Sequence, residues 1–169
     1  MRVDEISLIP DFGDDGTRNE RLAADFNDRP QKPRTVGRLP SGYQVLSDNG
    51  VFFITTSRGE LVGRLRLDRS LKYHRVGHVW IKPEYRNKGI GYQMYRYLLD
   101  EGYTIVSDWA QTRAAKGLWS KLAREGYVHE YVPTESGRMI GALVKNIEPY
   151  YAQTEPTSGG TVLLVATPK

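Results

Sequence analysis

The sequence predicts a mixed α/β fold: an antiparallel meander, then strand–helix–strand–helix, then terminal strands. Three observations carry this. Short strand-like segments separated by turn signals fill the region from Tyr43 to Leu67. Apolar residues recur at helical spacing from Ile90 to Leu98 and again from Ala115 to Leu122. One short apolar strand lies between those two helices, and a strand–helix–strand connection implies a parallel pair beside the meander.

Taken in order, Ile6–Ile9 can form a short first strand. Thr17 followed by Glu20 is a capping-box pattern, opening a short helix with Leu22, Ala23 and Phe26 on its apolar side. "NDRPQKPRTVGRLP" reads as a proline-rich, positively charged loop. Asn49-Gly50 suits a tight hairpin between Tyr43–Leu46 and Val51–Thr56. Arg58-Gly59 closes a second hairpin into Leu61–Leu67, where the leucines alternate with Arg64 and Arg66, and those arginines are expected on a solvated face. "HRVGHVWIK" is the fourth strand. A helix with Ile90, Met94, Tyr97 and Leu98 on one face then runs to Gly102, a C-terminal stop. "YTIVSDW" is a buried strand, and "TRAAKGLWSKLAREG" a helix ending at Gly126. The strands "YVHEYV", "RMIGALV" and "TVLLVA" follow, the last after a polar loop with Pro149 and Pro156. Trp80, Tyr92, Tyr95, Tyr97, Trp109 and Trp119 are expected mostly in the core.

The 169 residues suffice for one domain with a core, and 39% hydrophobic against 26% charged residues is a globular balance. No window holds the roughly 18 apolar residues of a membrane span, and "MRVDEISLIPDFGDD" turns acidic too early for a signal peptide. No membrane partner and a cytoplasmic location are therefore expected. The chain has no cysteine, and His74, His78 and His129 lack metal-ligand spacing, so no metal is expected. A net charge of +4 favours anionic ligands in general. Nucleic acid is disfavoured as a partner, because charge alone points to it.

The least ordinary stretch is "VWIKPEYRNKGIG", a strand running into a helix N-terminus. The first amides of a helix have no intrahelical partner and carry partial positive charge. Gly89 and Gly91 have no side chain to hold a ligand away, and Arg86 and Lys88 add charge at the rim. Such a turn accepts phosphate or pyrophosphate. It is not a P-loop, since no Gly-Lys-Ser/Thr follows.

The run Ile81-Lys82-Pro83-Glu84-Tyr85-Arg86-Asn87-Lys88-Gly89-Ile90-Gly91 resembles the acetyl-CoA signature of the GCN5-related N-acetyltransferase (GNAT) superfamily: an apolar strand, then Arg/Gln-x-x-Gly-x-Gly/Ala. The resemblance implies a single GNAT-like domain over 1–169, with a variable segment at 1–42, the best-matching core at 43–131 and C-terminal strands at 132–169. It implies that acetyl-CoA is the cofactor, its pyrophosphate bound by the amides of Arg86, Asn87, Lys88, Gly89, Ile90 and Gly91. The backbone of Val79, Trp80 and Ile81 would bond the pantetheine, and an amide near Ile81 would polarise the acyl carbonyl. The acetyl group then passes directly to a primary amine on a small molecule or a protein. That amine must be neutral, which calls for a general base: His78 on the strand, with Asp108 past the next strand as the second candidate. Glu84 is expected to face solvent.

The family's second motif, Asn-x-x-Ala-x-x-Leu-Tyr, is met with departures. Ala115 and Leu118 fit, Thr112 replaces the asparagine, and Trp119 stands where the tyrosine that protonates the thiolate belongs. "IVSDW…GLWSKLAREGYV" with "LLVATPK" is similar to GNAT-like proteins of bacteriophage genomes, which suggests an alternative: a non-catalytic structural or interaction protein of phage type, in the host cytoplasm or the virion. The loops shaping an acceptor pocket would be "TRNERLAADFNDRPQKPRTVGRLP" and the region near Val132–Gly137. Edge strands and a long C-terminal segment allow strand exchange between two copies, a homodimer.

Overall fold

The computed structural model describes residues 33–68, 73–107, 113–151 and 163–169, with the side chains of Gly77, His78, Tyr151 and Leu163 outside that description. The expected first strand at Ile6–Ile9, the helix beginning at Thr17, and Asp108, Trp109, Thr112 and Pro156 lie outside the described residues. The described chain forms a mixed α/β fold with three helices. It packs as two units, one of residues 33–66 and 78–90, the other of 67–77 and 91–169.

The first unit is the meander. Strands β1 (Arg34–Arg38), β2 (Gln44–Asp48), β3 (Val51–Thr55) and β4 (Leu61–Asp68) pair antiparallel in that order. The β2–β3 turn has Asn49 at φ 47° and Gly50 at φ 80°, the left-handed pair a two-residue hairpin requires. Gly59 at φ 83° serves the β3–β4 turn. Leu46, Phe53, Leu61 and Trp80 form a buried cluster, with Val51 packed against it. The second half of β5 (His74–Ile81) completes this unit, with the Lys82 amide donating to the Val62 carbonyl at 2.9 Å.

Two readings of this region are corrected. The proline-rich loop contains β1, whose exposed residues give no apolar alternation to read; its pairing with β2 makes it a strand. Arg64 is not on a solvated face. Its register partner is Phe53, which puts it on the side of the buried cluster, and it is 4% exposed.

In the second unit, the first half of β5 pairs parallel with β6 (Ile105–Val106), and helix α1 (Ile90–Asp100) connects the two strands. Helix α2 (Arg113–Arg124) follows, then β7 (Val128–Thr134), β8 (Gly137–Leu143), a short α3 (Glu148–Tyr151) where a polar loop was expected, and β9 (Leu163–Ala166). The hydrogen-bonding order is β5-β6-β9-β7-β8. The last strand therefore lies inside the sheet, antiparallel to both β6 and β7. Ser107, a buried polar residue, fastens it: its amide donates to the Leu164 carbonyl and its hydroxyl accepts from the Leu164 amide.

Both long helices stop at the expected glycines. Gly102 (φ 88°) donates to Leu99 and Tyr103 to Leu98; Gly126 (φ 82°) donates to Ala123 and Tyr127 to Leu122. This paired closure satisfies the last carbonyls, and the left-handed residue it needs is best supplied by glycine. Helix α1 buries Met94, Tyr95, Leu98 and Leu99, while Tyr97 is half-buried. Helix α2 buries Trp119, Leu122 and Ala123.

Candidate anion site at the start of the first long helix

Pro83 begins a single 3-10 turn, Pro83–Tyr85, immediately after β5. Its fixed φ and missing N–H suit a first helical position. The Tyr85 amide donates to the Lys82 carbonyl at 2.9 Å and the Arg86 amide to the Pro83 carbonyl at 3.2 Å. The chain then passes through Asn87 at φ 59° and Gly89 at φ 74°, two left-handed residues one apart, and enters α1 at Ile90. Asparagine tolerates that conformation and glycine takes it freely. Turns of this kind can direct successive amides to one side and create an anion-binding concavity.

Arg86, Asn87, Lys88 and Gly89 are exposed, and Ile90 is buried, anchoring the helix start. A Cβ built on Gly89 would meet nothing within 4 Å, so the space beside it is open. The Arg86 side chain folds back and donates through Nε to the Ile81 carbonyl at 2.9 Å. Along β5, Val79 is exposed, Trp80 is buried and Ile81 is half-buried.

Contacts missed by the sequence reading hold this turn together and tie it to the meander. Lys82 Nζ lies 2.9 Å from Glu60 Oε1 and 2.7 Å from Glu84 Oε1. The hydrogen bond with Glu84, then that with Glu60, raises the Lys82 pKa, and the bonds from Lys82 lower both carboxyls. Tyr85 packs edge-on against Tyr43, ring centroids 6.0 Å apart, and Lys88 Nζ lies 5.3 Å from the Tyr85 ring centroid. Gly63 on β4 allows the close passage of β5: a Cβ there would be 2.6 Å from Ile81 Cδ1 and 2.9 Å from the Trp80 carbonyl. A glycine inside a strand pattern was the available signal for that approach. The Lys82 pairing had none, because Glu60 and Lys82 are far apart in the chain.

Past the turn, within the second unit, Gly91 lies near Leu118: a Cβ on it would be 3.8 Å from Leu118 Cδ1. The Tyr92 hydroxyl donates to Glu125, Arg96 reaches the Tyr92 hydroxyl at 3.2 Å, and Arg96 pairs with Glu125 at 2.8 Å. Desolvation, then the bond to Glu125, raises the Tyr92 pKa; the Tyr92 bond, then the charge of Arg96, lowers that of Glu125. Lys121 Nζ stands 3.8 Å from the Tyr92 ring centroid. Trp119 is 2% exposed and packs edge-on against Tyr95, centroids 6.2 Å apart. His78 falls within β5, and Asp108 is outside the described residues. Among the described residues no group of three or more His, Asp or Glu could hold a metal ion, and no helix is long and apolar enough to cross a membrane.

Comparison with known proteins bears on this geometry. Among curated proteins no sequence matches the chain. Among solved structures, the crystal structure of the ribosomal-protein-S18-alanine N-acetyltransferase from Escherichia coli is similar, at 19% identity and a TM-score of 0.40. That match covers 69% of this chain and 66% of the other. Residues 48–123 match the family model of the acetyltransferase (GNAT) domain. That span runs from the last residue of β2 almost to the end of α2 and includes the whole turn from Arg86 to Gly91, so the part of the chain that carries the candidate anion site is the part similar to a GNAT acetyltransferase domain.

Proposed function

We propose that the protein is an acyl-CoA-dependent N-acyltransferase that passes an acetyl group from acetyl-CoA to a primary amine. The carrying observation is the Arg86–Gly91 turn, with left-handed Asn87 and Gly89 and open space at Gly89, inside the span that matches the GNAT domain. The donor set fits a pyrophosphate: helix-start amides with basic Arg86 and Lys88 beside them. The Arg86 amide already bonds Pro83, so the pyrophosphate would be held by the amides of Asn87, Lys88, Gly89, Ile90 and Gly91. In this reading the β5 backbone at Val79, Trp80 and Ile81 holds the pantetheine, and the Ile81 amide polarises the acyl carbonyl.

When bound, the cofactor supplies a thioester-activated acyl group. The protein must orient it and take a proton from the acceptor amine. His78 is the proposed base, since imidazole is the side chain type whose ordinary pKa suits that task, and Asp108 the second candidate. The acceptor is an amine on a small molecule or a protein.

The test is calorimetric titration of acetyl-CoA and of CoA into the pure protein, with Gly89→Glu as control. Binding by wild type and loss in the variant is the expected result. No binding at sub-millimolar cofactor would overturn the reading. A second reading, a non-catalytic GNAT-fold structural or interaction protein, is favoured by one observation: Trp119, where the family's tyrosine is expected, is a buried packing residue. Cofactor binding without CoA release across a panel of amines would favour it.

A further inference from the structure

Two carboxylates stand where an anion site should not want them. Glu84 is in the 3-10 turn that leads into Arg86–Gly91, and Glu60 reaches the same place from the start of β4. Both are partly exposed, at 47% for Glu60 and 53% for Glu84, so each keeps its charge in water. Lys82 lies between them, at 2.9 and 2.7 Å. Its ammonium has three donors, enough for both partners. The same lysine links the turn to the meander, because Glu60 belongs to the β3–β4 hairpin side and Glu84 to the turn itself.

We propose that Lys82 is a positioning and charge-offsetting residue for the anion turn: by setting one positive charge against the two negative charges of Glu60 and Glu84 it sets how tightly the turn holds the anionic end of its cofactor. The inference rests on the CoA reading above. Without Lys82 the charges of Glu60 and Glu84 would oppose each other, with Lys88 left to offset Glu84. The released negative charge would oppose a phosphate through space, an effect that salt screens. A lysine that only braced the fold would lower stability without that salt dependence.

The experiment titrates CoA into the full chain at low and at high salt, for wild type, Lys82→Met, Lys82→Arg and the triple variant Lys82→Met/Glu60→Gln/Glu84→Gln, with thermal melts alongside. Lys82→Met is expected to weaken CoA about ten-fold at low salt, with the difference shrinking at about 1 M salt, where the Debye length falls to roughly 3 Å. Lys82→Arg should stay near wild type. The triple variant should recover the whole loss and bind CoA more tightly than wild type at low salt, because it removes two negative charges along with one positive. Equal CoA binding by wild type and Lys82→Met would overturn the inference alone, and so would a triple variant that folds yet binds as weakly as Lys82→Met. Failure of wild type to bind CoA at all would overturn the CoA reading and this inference with it. Should Lys82→Met not fold, the comparison of wild type with the triple variant decides the matter: a folded triple variant that binds CoA more tightly than wild type at low salt, with the gain shrinking at high salt, supports the charge-offsetting role, and one that binds equally or more weakly overturns it.

Discussion

Gly91 and Leu118 face each other between the two long helices of the second unit, and a Cβ on Gly91 would sit 3.8 Å from Leu118 Cδ1, an ordinary van der Waals contact. Gly91 also lacks the left-handed φ that marks Gly89. Helical glycine therefore costs about 0.5–1 kcal/mol at this position relative to alanine with no backbone demand for it. Helix α1 has no acidic residue in its first turn, and one there would add about 0.3–1 kcal/mol from the helix dipole. Gly91→Glu should thus leave the melting temperature unchanged or higher, while the negative charge it adds at the helix start weakens CoA binding. Calorimetry and thermal melts on one preparation check both halves. Wild-type affinity in this variant would remove Gly91 from the site.

Gly63 should tolerate nothing larger. A Cβ would lie 2.6 Å from Ile81 Cδ1, which can rotate away, and 2.9 Å from the Trp80 carbonyl, which is backbone of the neighbouring strand and cannot. Gly63→Ala is expected to destabilise by about 1–3 kcal/mol, the usual range for overpacking. Urea unfolding should show a lower midpoint at unchanged slope.

The Tyr92–Glu125–Arg96 cluster predicts a pH signature. The folded-state pKa of Glu125 is depressed, so its contribution is complete above the ordinary carboxylate pKa and is lost as pH falls through the depressed value. The Tyr92 pKa is raised, so its contribution is complete below the ordinary tyrosine pKa and is lost as pH rises through the raised value. Tyr92→Phe should remove the alkaline loss and weaken the acid one, since Arg96 still holds Glu125 at 2.8 Å. The cluster is about one-third exposed, so near neutral pH the cost should be about 1 kcal/mol once solvent screening is allowed for. Melting temperature against pH for the two proteins is the measurement; parallel curves would contradict it.

Trp119→Tyr introduces the residue type that the resemblance to GNAT acetyltransferases leads one to expect, yet the position is interior and packed on Tyr95. The substitution should cost about 1–3 kcal/mol through lost packing and a buried hydroxyl. It should add nothing to CoA release with any amine. A gain in release on Trp119→Tyr would mean that the residue reaches the reacting atoms.

The turns and helix ends were legible because their chemistry is local. Asn49-Gly50, Gly59, Gly102 and Gly126 take left-handed conformations that neighbouring residues do not alter, and the helices announce themselves by a periodicity contained in their own dozen residues. The backbone of the Pro83–Gly89 turn was legible for the same reason, since a proline, an asparagine and a glycine shape it over less than ten residues. Strand β1 was not, because its exposed residues carry no apolar alternation and its pairing comes from β2. Nor was the seat of β9 between β6 and β7, which depends on strand edges left unpaired far earlier in the chain.

Alone, then, the sequence determined where the backbone turns, which faces of the helices are apolar, and that a helix opens on a side-chain-poor, basic turn. Only the tertiary structure decided that Arg64 is buried beside Phe53, that Trp119 is a packing residue, and that Lys82 spans Glu60 and Glu84. The physical reason is range. Backbone preference and periodicity act over a few neighbouring residues, whereas burial and charge pairing are set by whichever distant segment the folded chain brings alongside.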